Sequence, residues 1–260
     1  MVTLRIVLLK LLVGASVSLA QQPVGEVARR ESTPDLPQVQ KVFPGRGSVY
    51  CGPVSASNGL VYLARQGFSD LLPDDQYRLV NTLGSKPYMN TALMGGTGAT
   101  SMIRGLNGYV QKCGYDCEIR FQGWRHVDNE AAKTLVGHAS IAQIERWLQP
   151  DAIVLLNIGW YQKAESEFRR LGGHWVTLVG VVDHNLLLIH DPSNRSPEGD
   201  CERVLATRID AGVLTGRNKG LPRTAVDAWE LGGDLKIKTS KGANTCVLDG
   251  AVFLRLRTKE

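Results

Sequence analysis

Outside its first 20 residues the 260-residue chain has no apolar run long enough to cross a bilayer, no run of basic residues, no internal repeat and no histidine or cysteine set at metal-ligand spacing. A membrane-spanning helix needs roughly 18–20 consecutive apolar residues, so none is expected in the body of the chain. The formal net charge is only +5, and +3 without the first 20 residues, which carry Arg5, Lys10 and no acid. A positive balance this weak and dispersed argues against nucleic acid or an anionic membrane as partner. The five histidines, His126, His138, His174, His184 and His190, include no HExxH pair, and no two cysteines form CxxC. Neither a metal nor another cofactor is therefore expected. The "GGTG" at 95–98 lacks the lysine and the length of a phosphate-binding loop, and reads instead as a lead into a helix.

What is present begins with an N-terminus of a different kind. "MVTLRIVLLKLLVGASVSLAQQ" runs from two cations through an apolar stretch to Ser18-Leu19-Ala20. Small residues three and one before a cut suit a signal peptidase, so residues 1–20 are expected to be a signal peptide and the protein secreted or periplasmic. Residues 21–40, "QQPVGEVARRESTPDLPQVQ", are polar and broken by proline and are expected to form a loose leader. The remaining 41–260 suffice for one core and one domain. In an oxidising compartment five cysteines leave one thiol over. Cys113 and Cys117 are four apart, and Cys201 and Cys246 share the C-terminal third, so these are the simplest two disulfides and Cys51 is left reduced. Asn194-Arg195-Ser196 is a glycosylation sequon by letter, followed by Pro197.

Helical periodicity comes first along the chain. Val54, Leu60, Val61 and Ala64 fit a helix opened by Pro53 and stopped at Gly67. A second helix runs from a cap at Asp74 to Gly84. A third carries Met102, Ile103, Leu106 and Val110 on one face. Ser140 and Gln143 have the spacing of a capping box before a fourth. Strand-like segments follow: 118–122, 152–159, 174–183, 185–191, "RVLATRI", "DLKIKTS" and "AVFLRLR". The tight Asp183-His184-Asn185 connection predicts an antiparallel hairpin. Helices followed by strands define an α+β fold.

Three residues in that frame point to chemistry. Cys51 stands where a helix begins, and the unsatisfied N–H groups and positive dipole end there favour a thiolate. The same N–H groups can hold the oxyanion formed when a thiolate attacks a carbonyl. His174 opens one strand of the hairpin after "LGG", and Asp191 closes the other before Pro192. Antiparallel pairing brings them side by side, as a base and its orienting carboxylate require.

"YCGPVSASNGLVYL", "GGHWVTLVGVVD" and "LLLIHDPSNR" resemble, in this order, the Cys, His and Asp blocks of C39-like peptidases in the papain-like superfamily. They are also similar to phytochelatin synthases in the "YCG" helix start and the "GH" strand. The resemblance covers roughly residues 40–200. It implies a papain-like fold, with an N-terminal helical half whose nucleophile helix packs on a C-terminal antiparallel sheet, and a peptide or protein substrate. It also implies Cys51 as nucleophile, His174 as general base and Asp191 as orienter. The superfamily's oxyanion-stabilising glutamine would fall at position 45, which is Gly45 here. Gln38 and Gln40 lie upstream, and Gln40 and Ser48 are the candidates for that role. A cysteine peptidase is the expected activity. A γ-glutamyl transpeptidase of the phytochelatin synthase kind, and a non-catalytic peptide-binding protein, are the alternatives.

Overall fold

The computed structural model describes residues 29, 31–125, 127, 133–193, 201–216, 221–238 and 242–257. The expected signal segment and the 194–196 sequon lie outside the described residues. The chain forms helices α1 (Cys51–Arg65), α2 (Gln76–Gly84), α3 (Thr91–Met94) and α4 (Ala99–Lys112) before any strand. Strands β1 (Asp116–Gly123) and β2 (Lys133–Val136) precede a short α5 (Ile141–Arg146). Then come β3 (Ala152–Ala164), β4 (Glu167–Val182), β5 (Leu186–His190), β6 (Glu202–Arg208), β7 (Val213–Thr215), β8 (Arg223–Thr224), β9 (Trp229–Leu231) and β10 (Thr245–Arg257). This is the α+β order that the sequence predicts.

The local chemistry of the helix ends is mostly as the sequence indicates. Ser140 caps α5 by accepting the Gln143 N–H. For α2 the cap is Asp75, whose Oδ1 accepts the Arg78 N–H at 2.8 Å. Asp74, the residue expected there, pairs instead with the Arg78 guanidinium on the surface. Helix α1 is buried on nearly every side from Gly52 to Leu63, its polar Ser55, Ser57 and Asn58 included. Gly59 lets it lie flat on the sheet, because a Cβ there would come within 2.6 Å of Ile153 Cδ1.

Six strands close on themselves. β3 pairs with β4, β4 with β5, β5 with β6, β6 with β9, β9 with β10, and β10 with β3 again, each pair antiparallel. Closure removes the exposed edges that an open sheet must protect. Alternation then sorts the side chains. Val154, Leu156, Ile158, Val176, Leu178, Leu187, Ile189 and Phe253 form one cluster. Ile153, Leu155, Trp175, Val252 and Leu254 face the other way, into a core shared with α1, α2 and α4. The sheet is not wholly antiparallel as expected, since β2 adds to β1 and β7 to β4 in parallel. The β4–β5 hairpin is present, turned through Asp183 and His184 with positive φ at both, which matches the strand twist.

Three expectations give way. "DLKIKTS" forms no strand over its described residues 234–238; Leu235 and Ile237 hold it by packing on the barrel cluster, and the ladder position goes to β9. The structured body begins before residue 41. Arg29 is buried, donates to the Ala152 carbonyl at 2.6 Å and the Gln149 carbonyl at 3.1 Å, and lies over the Tyr62 ring. Finally, no disulfide joins any of the five cysteines. Cys117 Sγ donates to Asn107 Oδ1 at 3.4 Å, Cys113 hydrogen-bonds Tyr109, and Cys246 lies wholly inside the barrel.

A buried charged network sits where β10 bulges between Leu248 and Gly250. The bulge residue, Asp249, is fully buried. It accepts from Arg170 Nε at 2.6 Å, Trp124 Nε1 at 3.0 Å and Tyr161 Oη at 2.5 Å. Gly159 makes room for it, as a Cβ there would sit 2.5 Å from its Oδ1. Burial, and then the Asp249 charge, push the Tyr161 hydroxyl well above its ordinary range, so it stays a donor. Breaking such a pair leaves an uncompensated buried charge. Arg170→Met is therefore expected to destabilise the protein by about 3–5 kcal/mol in urea unfolding. An unchanged midpoint would mean that the pair contributes little.

Candidate active site

Cys51 is the first residue of α1, reached through a loop that only glycine-like conformations permit. Gly45, Arg46 and Gly47 all have positive φ. A Cβ on Gly47 would sit 1.7 Å from the Gln38 carbonyl oxygen. No side chain caps the helix at Tyr50. A helix start leaves its first N–H groups without intrahelical partners, and Pro53 has none, so the Cys51 and Gly52 amides are the ones left over at this end.

Ser55 lies one turn on, on the same face as Cys51. Its hydroxyl donates to the Trp175 carbonyl at 2.8 Å, and the Thr177 hydroxyl donates back to the Ser55 carbonyl at 2.8 Å. These two bonds pin the start of α1 to β4 beside His174. Gly52 admits the neighbouring loop, because a Cβ there would meet the Thr97 side chain at 2.5 Å.

His174 and Asp191 share the strand faces that point into the barrel with Val176, Leu178, Leu187 and Ile189. Both are buried. His174 Nε2 lies 2.5 Å from Asp191 Oδ1, which leaves Nδ1 as the ring atom that can serve Cys51. The Trp160 indole stacks on the imidazole, with centroids 5.8 Å apart and planes at 25°. Asp191 is itself held: its Oδ1 accepts the Ser193 N–H at 2.8 Å, and its own N–H donates to the buried Glu202 at 3.0 Å. His190, next in sequence, turns to the opposite face and meets the Pro34 carbonyl at 3.1 Å.

The electrostatics follow from this packing. Burial opposes a Cys51 thiolate, yet the hydrogen bond and charge of His174 and the Trp175 backbone N–H outweigh it, so the thiol is held below its ordinary range. Burial likewise opposes an imidazolium. The Asp191 charge and hydrogen bond, followed by those of Cys51, overcome it and raise His174 to about 10. Both shifts favour a thiolate–imidazolium pair over a neutral thiol beside a neutral ring.

The structure thus brings Cys51, His174 and Asp191 together. Gln40 and Ser48 have no described side-chain contact with these three. Ser48 is exposed, Gln40 is half-buried in a turn, and neither side chain hydrogen-bonds to Cys51. The buried glutamine is Gln38. Its Nε2 reaches the Gly47 and Ser48 carbonyls at 3.2 and 3.4 Å, and its backbone N–H reaches the Pro192 carbonyl at 2.7 Å. Gln38 therefore ties the loop before Cys51 to the segment after Asp191. Trp160, Ser55, Thr177 and Glu202 are further contributors that no spacing in the sequence singles out.

Among the described residues no group of three or more metal-ligating side chains occurs. A surface groove of about 710 Å³ over α2, lined by Tyr77, Tyr88 and Lys112, contains none of the three residues. Comparisons with protein-family models, with curated proteins and with solved structures find no match in any of the three.

The ion pair has a direct consequence for alkylation. Iodoacetamide should label Cys51 with a pH midpoint below the ordinary 9.0. In His174→Ala the supporting charge is gone while burial remains, so the midpoint should move up and the rate at pH 7 fall by about tenfold or more. Equal profiles for the two proteins would mean that His174 does not activate the thiol.

Proposed function

We propose that the protein is an exported cysteine hydrolase of papain-like architecture that cleaves peptide amide bonds. The observation that carries this reading is the buried histidine with Asp191 on one side and a helix-start cysteine on the other. The closed barrel with a cysteine-bearing helix set against it supports the finer fold assignment.

In the proposed reaction the Cys51 thiolate attacks the amide carbonyl carbon, and the carbonyl electron pair moves onto oxygen. The Cys51 and Gly52 N–H groups are the donors placed to hold that oxyanion. The His174 imidazolium gives its proton to the leaving nitrogen as the C–N bond breaks, and an acyl thioester remains on Cys51. Water then attacks the thioester and gives a proton to His174, and the carboxylic acid product leaves with the thiolate–imidazolium pair restored. Asp191 keeps the imidazole in the required orientation and balances its charge. Gln38 acts through the loop, by fixing the approach to Cys51.

Turnover of a peptide library read by mass spectrometry, with Cys51→Ala as the blank, tests the assignment. Asp191→Asn should keep the fold, because the side chains are nearly isosteric. Its turnover should fall by about 10²–10⁴-fold, since an amide can favour the wrong tautomer and cannot balance the imidazolium. Wild-type turnover should rise with pH through the lowered thiol titration and fall above about 10, where His174 loses the proton it must donate. Cleavage that persists in Cys51→Ala, or full turnover in Asp191→Asn, would remove the proposed mechanism.

A further inference from the structure

The loop between α2 and α4 exposes two large apolar side chains at its tip, Leu93 and Met94, which are 77% and 66% exposed. Its base is fixed. The Thr91 and Thr97 hydroxyls lie 2.8 Å apart, and the Gly96 N–H donates to the Thr91 carbonyl at 3.0 Å. That base is also part of the candidate site. The Thr97 carbonyl accepts the Trp175 indole N–H at 2.7 Å, one residue from His174, and the Thr97 side chain lies against Gly52, one residue from Cys51. Asn90 and Gly95, with φ of 52° and 64°, turn the chain on either side of α3 so that it projects outward. No charged residue occurs between Lys86 and Arg104.

We infer that Leu93 and Met94 form an apolar rim beside Cys51 and select substrates with an uncharged, apolar side chain next to the scissile bond. Exposed apolar side chains carried on a fixed base, on an uncharged segment whose base lies against Gly52 and Trp175, mark a binding surface rather than incidental exposure. A methionine next to a leucine suits side chains of varied shape, because the thioether chain adapts to its partner. A charged side chain placed there would lose hydration and find no counter-charge on the loop. The occupant is a substrate side chain, so this inference rests on the Cys51 reading above.

The test uses two peptidyl chloromethyl ketones, matched except for leucine or glutamate as the residue that bears the reactive group. Each alkylation rate is normalised to that of iodoacetamide on the same protein, since that small reagent reports the sulfur without needing the rim. The wild type should prefer the leucine reagent by about tenfold or more. The preference should fall to within about twofold in L93N/M94N and persist in the apolar variant L93M/M94L. A wild type without preference, or an L93N/M94N variant that keeps it, would overturn the rim assignment. So would an unchanged preference accompanied by loss of self-association in sedimentation, which would assign the patch to a second copy of the chain. Failure of iodoacetamide to label wild-type Cys51 near neutral pH would instead bring down the hydrolase reading, and this inference with it.

Discussion

The contact between His174 Nε2 and Asp191 Oδ1, 2.5 Å long and buried at the end of a hairpin, is the interaction on which the candidate site depends. An imidazolium inside a protein needs a compensating charge, because burial alone favours the neutral ring. Asp191 supplies that charge, and the raised titration of His174 in turn makes the Cys51 thiolate tolerable at the start of α1. Remove the carboxylate and each later step loses its support. The two groups are 17 positions apart in the chain, and the β4–β5 ladder converts that separation into a side-by-side placement.

The surroundings hold this geometry from several directions. Ser55 and Thr177 lock α1 to β4, so the sulfur cannot slide along the strand that carries the histidine. Gln38 joins the loop before Cys51 to the segment after Asp191, and Gly47 is required because Gln38 fills the space where a side chain would lie. Trp160 covers one face of the imidazole. Closure of six strands into a barrel gives the histidine and the aspartate a rigid common support. The Asp249 network serves the same end at the β10 bulge, where four polar side chains satisfy one another out of water.

How far the sequence reveals this structure depends on how one-sided each element is. Helices α2 and α4 each bury one stripe, so their periodicity reads directly. Strands β3, β4 and β10 are buried on both faces over most of their length, and alternation is then lost from the letters although it still sorts side chains in space. Barrel closure follows from pairings between distant strands and leaves no local mark. "DLKIKTS" misleads because Leu235 and Ile237 alternate for packing rather than for pairing. Cys51 and Asp191 are legible because each stands at an element boundary close to a proline, whereas His174, marked by Gly172-Gly173, lies inside β4 rather than at the strand start expected for it. The buried position of Gln38 leaves no mark in the letters, because it depends on a chain reversal through Gly45, Arg46 and Gly47 that leaves Gln40 only half-buried. Trp160 is hidden in a strand in which every neighbour is also buried.

The central claim is that His174 is an imidazolium at neutral pH because it lies between Asp191 and a Cys51 thiolate. Nitrogen NMR of the protein labelled at its histidine rings reports this state directly, with His174→Gln identifying the signal. The account predicts that both ring nitrogens of His174 are protonated at pH 7 and that the ring loses its proton only towards about 10. A neutral His174 ring at pH 7, or one that titrates near the ordinary 6.5, would contradict it.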